Sequence, residues 1–215
     1  IAGAEKFQTH EALPAVPIEL DIVAKSTQGT DVLLNETFTL DNFLALQASQ
    51  QPDLLHLATH AEFNTGNLEQ SFIQFWDAQL TFHQMRDLNW SEAELLILSA
   101  CGTALSSPEA ELGFTGLAAG AGIETVMGSL WNVSDFGTVA VMTEFYTQLS
   151  QKALRFQSLR QAQIALIRGT TQVNNGLLNT SRQQIPLPSQ WDLPGAEFSH
   201  PFYWAGFTMV GNPWY

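Results

Sequence analysis

Two short, almost uninterrupted apolar runs, LLHLAT at residues 54–59 and LLILSA at 95–100, constrain the fold of this chain more than any other feature. A strand with one wet face alternates apolar and polar residues. A run that is apolar at nearly every position needs cover on both faces, as strands inside a parallel sheet do. TVMGSL at 125–130 is a third, weaker run, and 207–210 a fourth. Between them lie helical patterns. Residues 40–49 open with Asp41 as N-cap, 82–88 form a short segment, and 113–121 are rich in small residues. Residues 135–149 and 154–167 repeat apolar side chains at three and four. Strands alternating with helices predict an α/β fold, with a mainly parallel central sheet covered on both faces. In such sheets ligands sit beyond the carboxyl ends of the strands.

Residues 170–194 are polar, rich in Asn, Gln, Ser and Pro, and without periodicity, which predicts a long, mobile polar loop. The expected organisation is a single domain over residues 1–215. The missing initial Met suggests a part of something longer. The 215 residues, 45% hydrophobic, suffice for one substantial core. Eight Lys and Arg against 21 Asp and Glu give a net charge of −13, and no basic cluster appears. The field needed to attract phosphate backbones or anionic lipid is therefore missing, and neither nucleic acid nor membrane is expected as a partner. No apolar run reaches the ~18 residues that span a bilayer. Cys101 is the only cysteine, which excludes a disulfide framework and a multi-thiolate metal site. It also suggests a reducing, cytoplasmic setting.

The chemistry-bearing residues follow the two apolar runs directly. His60 comes after the first and Cys101 after the second. If the two strands are parallel neighbours, their carboxyl ends share one rim, and an imidazole and a thiol come within reach of each other. A free thiol has a pKa near ~8.5 and becomes a strong nucleophile when an imidazolium favours the thiolate. Gly102 and Thr103 open a turn whose backbone N–H groups could face a developing oxyanion. A lone cysteine at a strand end is equally at home as a small core hydrophobe. His56 reads as a packed core histidine, since no third ligand is spaced to join it and His60 on a metal. His10, His83 and His200 have no motif around them.

The ordered segments LLHLATHAEF, LLILSACGTA, GLAAGAGIETVMGSLWNVSD, FYTQL, SLRQAQIALI and HPFYWAGFTMVGNPW resemble the CHAT domain, a caspase-like module related to separases and gingipains. Its members often accompany tetratricopeptide repeats and occur in cyanobacterial developmental regulators. The resemblance implies a three-layer α/β/α caspase-like sandwich and a cysteine endopeptidase that needs no metal or other cofactor. His60 and Cys101 would be the catalytic pair, and the N–H groups of Ala61 and Cys101 the oxyanion donors. It also implies a protein substrate and an upstream tetratricopeptide-repeat or sensor region as partner. The family usually has Gly where this chain has Ala61 and often Glu where it has Gly102. A catalytically silent interaction or scaffold domain is the alternative reading. Finally, LWNVSD resembles a separase segment whose aspartate receives an arginine, which implies that Asp135 binds substrate and gives preference for Arg or Lys. Relatives with an acidic residue two before the cysteine have Ser99 there in this chain. Asp135 also precedes a helical pattern, where an N-cap would be its ordinary role.

Overall fold

The computed structural model describes residues 1–7, 10–27, 29–62, 67–90, 92–99, 122–131, 133–188, 191 and 198–212. Its centre is a six-stranded sheet. Strands β1 (Ala2–Gly3), β2 (Leu33–Leu34) and β3 (Leu54–Ala58) pair in parallel. A hairpin region of β4 (Ala61–Glu62), β5 (Phe72–Gln74) and β6 (Gln79–Thr81) follows β3 as a separate antiparallel sheet. Strands β7 (Leu95–Leu98) and β8 (Thr125–Ser129) return to the central sheet. His56 stands beside Ile97 and Leu95 beside Thr125, all in parallel. Strand β12 (Phe207–Gly211) closes the sheet antiparallel to β8, giving the order β12-β8-β7-β3-β1-β2. Gly211 is needed there because its φ of +117° is left-handed and a Cβ would meet the Glu124 carbonyl.

The doubly apolar runs behave as their composition requires. Leu95, Ile97 and Met127 point to one face, where they pack with α1 (Val16–Ser26), α4 (Asp135–Leu149) and α5 (Arg155–Ile167). Leu96, Leu98 and Val126 point to the other, against α2 (Leu40–Gln50), α3 (Phe82–Asp87) and the β4–β6 hairpins. The alternation is the period of two, with both faces dry. The result is the expected three-layer sandwich. Among the described residues no helix is long and apolar enough to cross a membrane.

Three expectations change. Thr39, not Asp41, caps α2: its backbone is extended and its hydroxyl accepts from Asn42 N at 3.2 Å, leaving Asp41 in the first turn. Ser134, not Asp135, caps α4, accepting from Gly137 N. The segment expected as a mobile loop carries a three-stranded antiparallel sheet of β9 (Gln172–Asn174), β10 (Leu177–Asn179) and β11 (Gln184–Pro186). It is tied down from below by Glu144 of α4, which is fully buried. Its Oε1 accepts from Thr171 Oγ1 and Ser181 N, and its Oε2 from Ser181 Oγ, each at 2.6 Å. Val173 and Leu178 add apolar anchors to the same core. The helical segment expected at 113–121 lies outside the described residues.

Candidate active site

Strands β3, β7 and β8 run parallel, so their carboxyl ends share one rim. His60 stands two residues beyond the end of β3. The chain between β1 and α1 lies over it: Glu11 places its backbone carbonyl oxygen 2.8 Å from His60 Nε2. A carbonyl can only accept, so Nε2 carries the proton and Nδ1 is the basic nitrogen. Phe7 meets the imidazole edge to face with ring centroids 4.8 Å apart, and His10 stacks on it at 5.2 Å with 26° between the planes. Burial is the main cause that lowers the pKa of His60. The Glu11 carbonyl opposes this, His10 adds to it, and the Glu11 charge opposes it again. The net effect favours the neutral imidazole, the form that can take a proton from a thiol.

Cys101 and its Gly102-Thr103 turn lie outside the described residues. Strand β7 ends at Leu98, and Ser99 N donates to Leu57 O at 3.2 Å, so the end of β7 lies beside the strand that leads to His60. Ala61 opens β4. Gln74 N donates to His60 O at 2.8 Å, and Ala61 stands opposite Ile73 at the next position. In an antiparallel ladder such positions alternate, so the N–H of Ala61 turns away from β5. Ala61 itself is 2% exposed.

Asp135 is on the same rim, at the start of α4. Its Oδ2 accepts from Ala15 N at 3.0 Å, so the segment that holds His60 at Glu11 also holds Asp135 at Ala15. Burial, with a smaller contribution from the Glu19 charge, raises the Asp135 pKa to about 6 against the pull of that N–H.

Beneath the rim lies a polar cluster. His56 is fully buried, with Nδ1 3.0 Å from the Tyr146 hydroxyl and Nε2 3.2 Å from Ser99 Oγ. Burial, then Glu19, raises the Tyr146 phenol well above its usual range, so it stays O–H beside Nδ1. Glu19 Oε1 stands 3.0 Å from His56 Nε2 but off the axis of a ring N–H, and has no directed hydrogen bond. His56 is thus a core histidine, as its place inside an apolar run suggests, with a charged neighbour that no motif announces. Among the described residues no group of three or more His, Cys, Asp or Glu could hold a metal ion. His83 faces Glu69 on the surface, and His200 Nδ1 accepts from Phe202 N in a 3-10 turn.

The sequence reading brings out His60, Ala61 and Asp135 but misses Glu11, Phe7 and His10. Glu11 acts through its backbone, which carries no side-chain signal, and the other two lie far from the apolar runs.

The family model of the CHAT domain matches residues 2–212. The chain belongs to the CHAT domain family. No curated protein matches it. CHAT domains are a caspase-like family, usually related to proteases. This CHAT domain has the mixed α/β architecture, with a mainly parallel sheet, that the family implies.

Proposed function

We propose that this CHAT domain is a cysteine endopeptidase in which Cys101 is the nucleophile and His60 its acid–base partner. The observation that carries the reading is the bond from His60 Nε2–H to the Glu11 carbonyl, because it leaves Nδ1 free as a base on a largely neutral ring. The thiol proton passes to Nδ1 as sulfur attacks the peptide carbonyl carbon. The oxyanion is held by the N–H of Ala61 and that of Cys101. Collapse of the tetrahedral species breaks the C–N bond, and His60 returns the proton to the leaving amine. Water, deprotonated by His60, then hydrolyses the thioester and restores the thiol.

Asp135 serves this reaction as the receptor for an Arg or Lys side chain before the cut. One oxygen is engaged by Ala15 N, and the other is the acceptor a guanidinium would take. A bound cation would favour the ionised carboxylate and draw its pKa down. The family resemblance further supports a protein substrate in the cytoplasm, with cleavage controlled by a tetratricopeptide-repeat or sensor region of the same protein.

The test is digestion of a peptide library by wild type, Cys101→Ala and His60→Ala. Wild type should cut after basic residues. Cys101→Ala should be inactive, and His60→Ala slower by a factor on the order of 10² or more. Cleavage by Cys101→Ala would rule out the nucleophile, and a wild type that cuts nothing would leave the scaffold reading in its place.

A further inference from the structure

We infer that His10 is a positioning residue for the His60 imidazole, a second ring stacked on it that sets how readily the catalytic pair takes up a proton. The inference rests on the peptidase reading for its consequence in catalysis, though not for its physical content.

The segment between β1 and α1 surrounds His60 with three different contacts. The Glu11 carbonyl fixes which nitrogen is protonated. Phe7 supplies an apolar edge and also meets His10, with centroids 6.0 Å apart. His10 supplies a nearly parallel face at 5.2 Å and is itself backed by Phe72 of β5 at 6.1 Å. A ring sandwiched in this way holds its plane, so the direction of Nδ1 is set by packing as well as by the carbonyl.

The choice of histidine for that face has an electrical consequence that a phenyl ring would lack. Imidazole is the side chain that gains charge near neutrality. A positive charge on one ring at this spacing disfavours a second on its neighbour. Unit charges ~5 Å apart in a watery setting repel by enough to change a protonation equilibrium by a factor of roughly three to four. Among the described residues, His10 and Glu11 of the β1–α1 segment are the charged groups that act on the His60 imidazole. The hairpin side places Phe72 against His10 and carries Glu62 two residues beyond His60. Glu11 favours the imidazolium and His10 disfavours it, so the two neighbours in sequence oppose each other at one ring. A positive charge on His10 resists conversion of the dyad to imidazolium plus thiol, the form that can no longer accept the thiol proton. His10 thereby extends the working range of the site toward low pH.

Two variants test this. His10→Phe keeps an aromatic wall and its exclusion of water but removes the charge, and His10→Gln removes charge and ring together while staying polar. The first readout is the titration of the His60 ring Cε1–H resonance by NMR in a Cys101→Ala background, where the imidazole titrates without the thiol. The resonance is assigned by its loss in His60→Gln. The midpoint should rise in both variants. The second readout is the pH profile of kcat/KM with Cys101 present. The acid limb should move to higher pH, with a fall of roughly three- to fourfold at pH 5 that shrinks toward pH 8. A His60 midpoint that stays put or falls in both variants overturns the inference even if the enzyme is active. A raised midpoint in a chain with no peptidase activity upholds the coupling and refutes the peptidase reading alone. A fall in kcat/KM of equal size at every pH, with the midpoint unmoved, would reduce His10 to a packing residue.

Discussion

Glu144 offers a quantitative test of whether the small sheet of β9, β10 and β11 is part of the fold or an ornament on it. The carboxylate is fully buried and accepts three hydrogen bonds at 2.6 Å, two from Ser181 and one from Thr171. Glu144→Leu keeps the approximate volume but strands a backbone N–H and two hydroxyls. Donors left without a carboxylate partner cost about 1.5–3 kcal/mol each, and because all three share one side chain the total should be ~3–5 kcal/mol. Glu144→Gln, by contrast, retains an acceptor at Oε1 for both Thr171 and Ser181 N. Its amide can donate to the Ser181 hydroxyl, which then acts as acceptor. That variant should lose only ~1–2 kcal/mol, the charge assistance of the bonds. The assay is urea unfolding of the three proteins, with limited trypsin digestion to read the loop directly. Arg182 is exposed in the turn between β10 and β11, where its guanidinium donates to Gln151 Oε1 at 2.6 Å and its backbone N–H to Thr180 Oγ1 at 3.4 Å. It should be cut much faster in Glu144→Leu than in wild type. If Leu and Gln variants have the same stability as wild type and Arg182 is cut equally fast in all three, the sheet is not anchored by Glu144.

Asp135→Asn should alter the pH dependence of stability. A carboxyl whose folded pKa is raised from 3.8 to about 6 contributes stability that is full below its unfolded pKa and is lost as pH rises through about 6. Asn keeps an acceptor for Ala15 N and stays neutral, so the variant should exceed wild type by on the order of 2–3 kcal/mol at pH 8, with no difference near pH 4. Urea midpoints at pH 4, 6 and 8 decide it, and an equal or less stable variant at pH 8 would contradict the burial argument. On matched Arg and Leu peptides the same variant should lose its basic preference, and unaltered preference would remove Asp135 from the pocket. His56→Leu should cost ~3–5 kcal/mol, since it abandons the Glu19 carboxylate, the Tyr146 hydroxyl and Ser99 at once. Glu19→Gln should cost less because no directed bond is lost; the reverse order in thermal or urea melts would show that the charge on Glu19 carries the cluster.

How much of this was legible depended on length and on which atoms act. The runs at 54–59 and 95–100 announce β3 and β7 because a buried parallel strand must be apolar at successive positions, and α4 shows its full 135–149 extent because its spacing is regular over four turns. Strands β1 and β2 have two residues each, too few for any period, and no element is read before Leu40 although α1 is there. The strands of the small sheet have three residues each, too few to show a period, and they are anchored in part by one distant carboxylate that the local pattern cannot reveal. At the site, His60 was marked by the strand before it. Its partner Glu11 could not be, because the acting atom is a main-chain oxygen that any residue would supply. Caps are hard to place for a related reason: Asp41 and Asp135 are good capping residues, but the positions belong to Thr39 and Ser134, whose backbones are extended.

The antiparallel strand β12 also sets the order in which this molecule can be completed during synthesis. Strands β1, β2, β3, β7 and β8 emerge from the ribosome in sequence, and each after β1 finds a neighbour already made. Strand β8 then has one open side until Phe207–Gly211 arrive, after two helices and the small sheet. During that interval its outward N–H and C=O groups form a raw edge of the kind that recruits foreign strands. Helices α4 and α5, made in the meantime, can already cover one face of the nascent sheet, leaving the edge itself exposed. Chaperone dependence of expression should therefore be governed by how fast residues 207–211 dock, and truncations that remove them should aggregate although β3, β7 and β8 are all present.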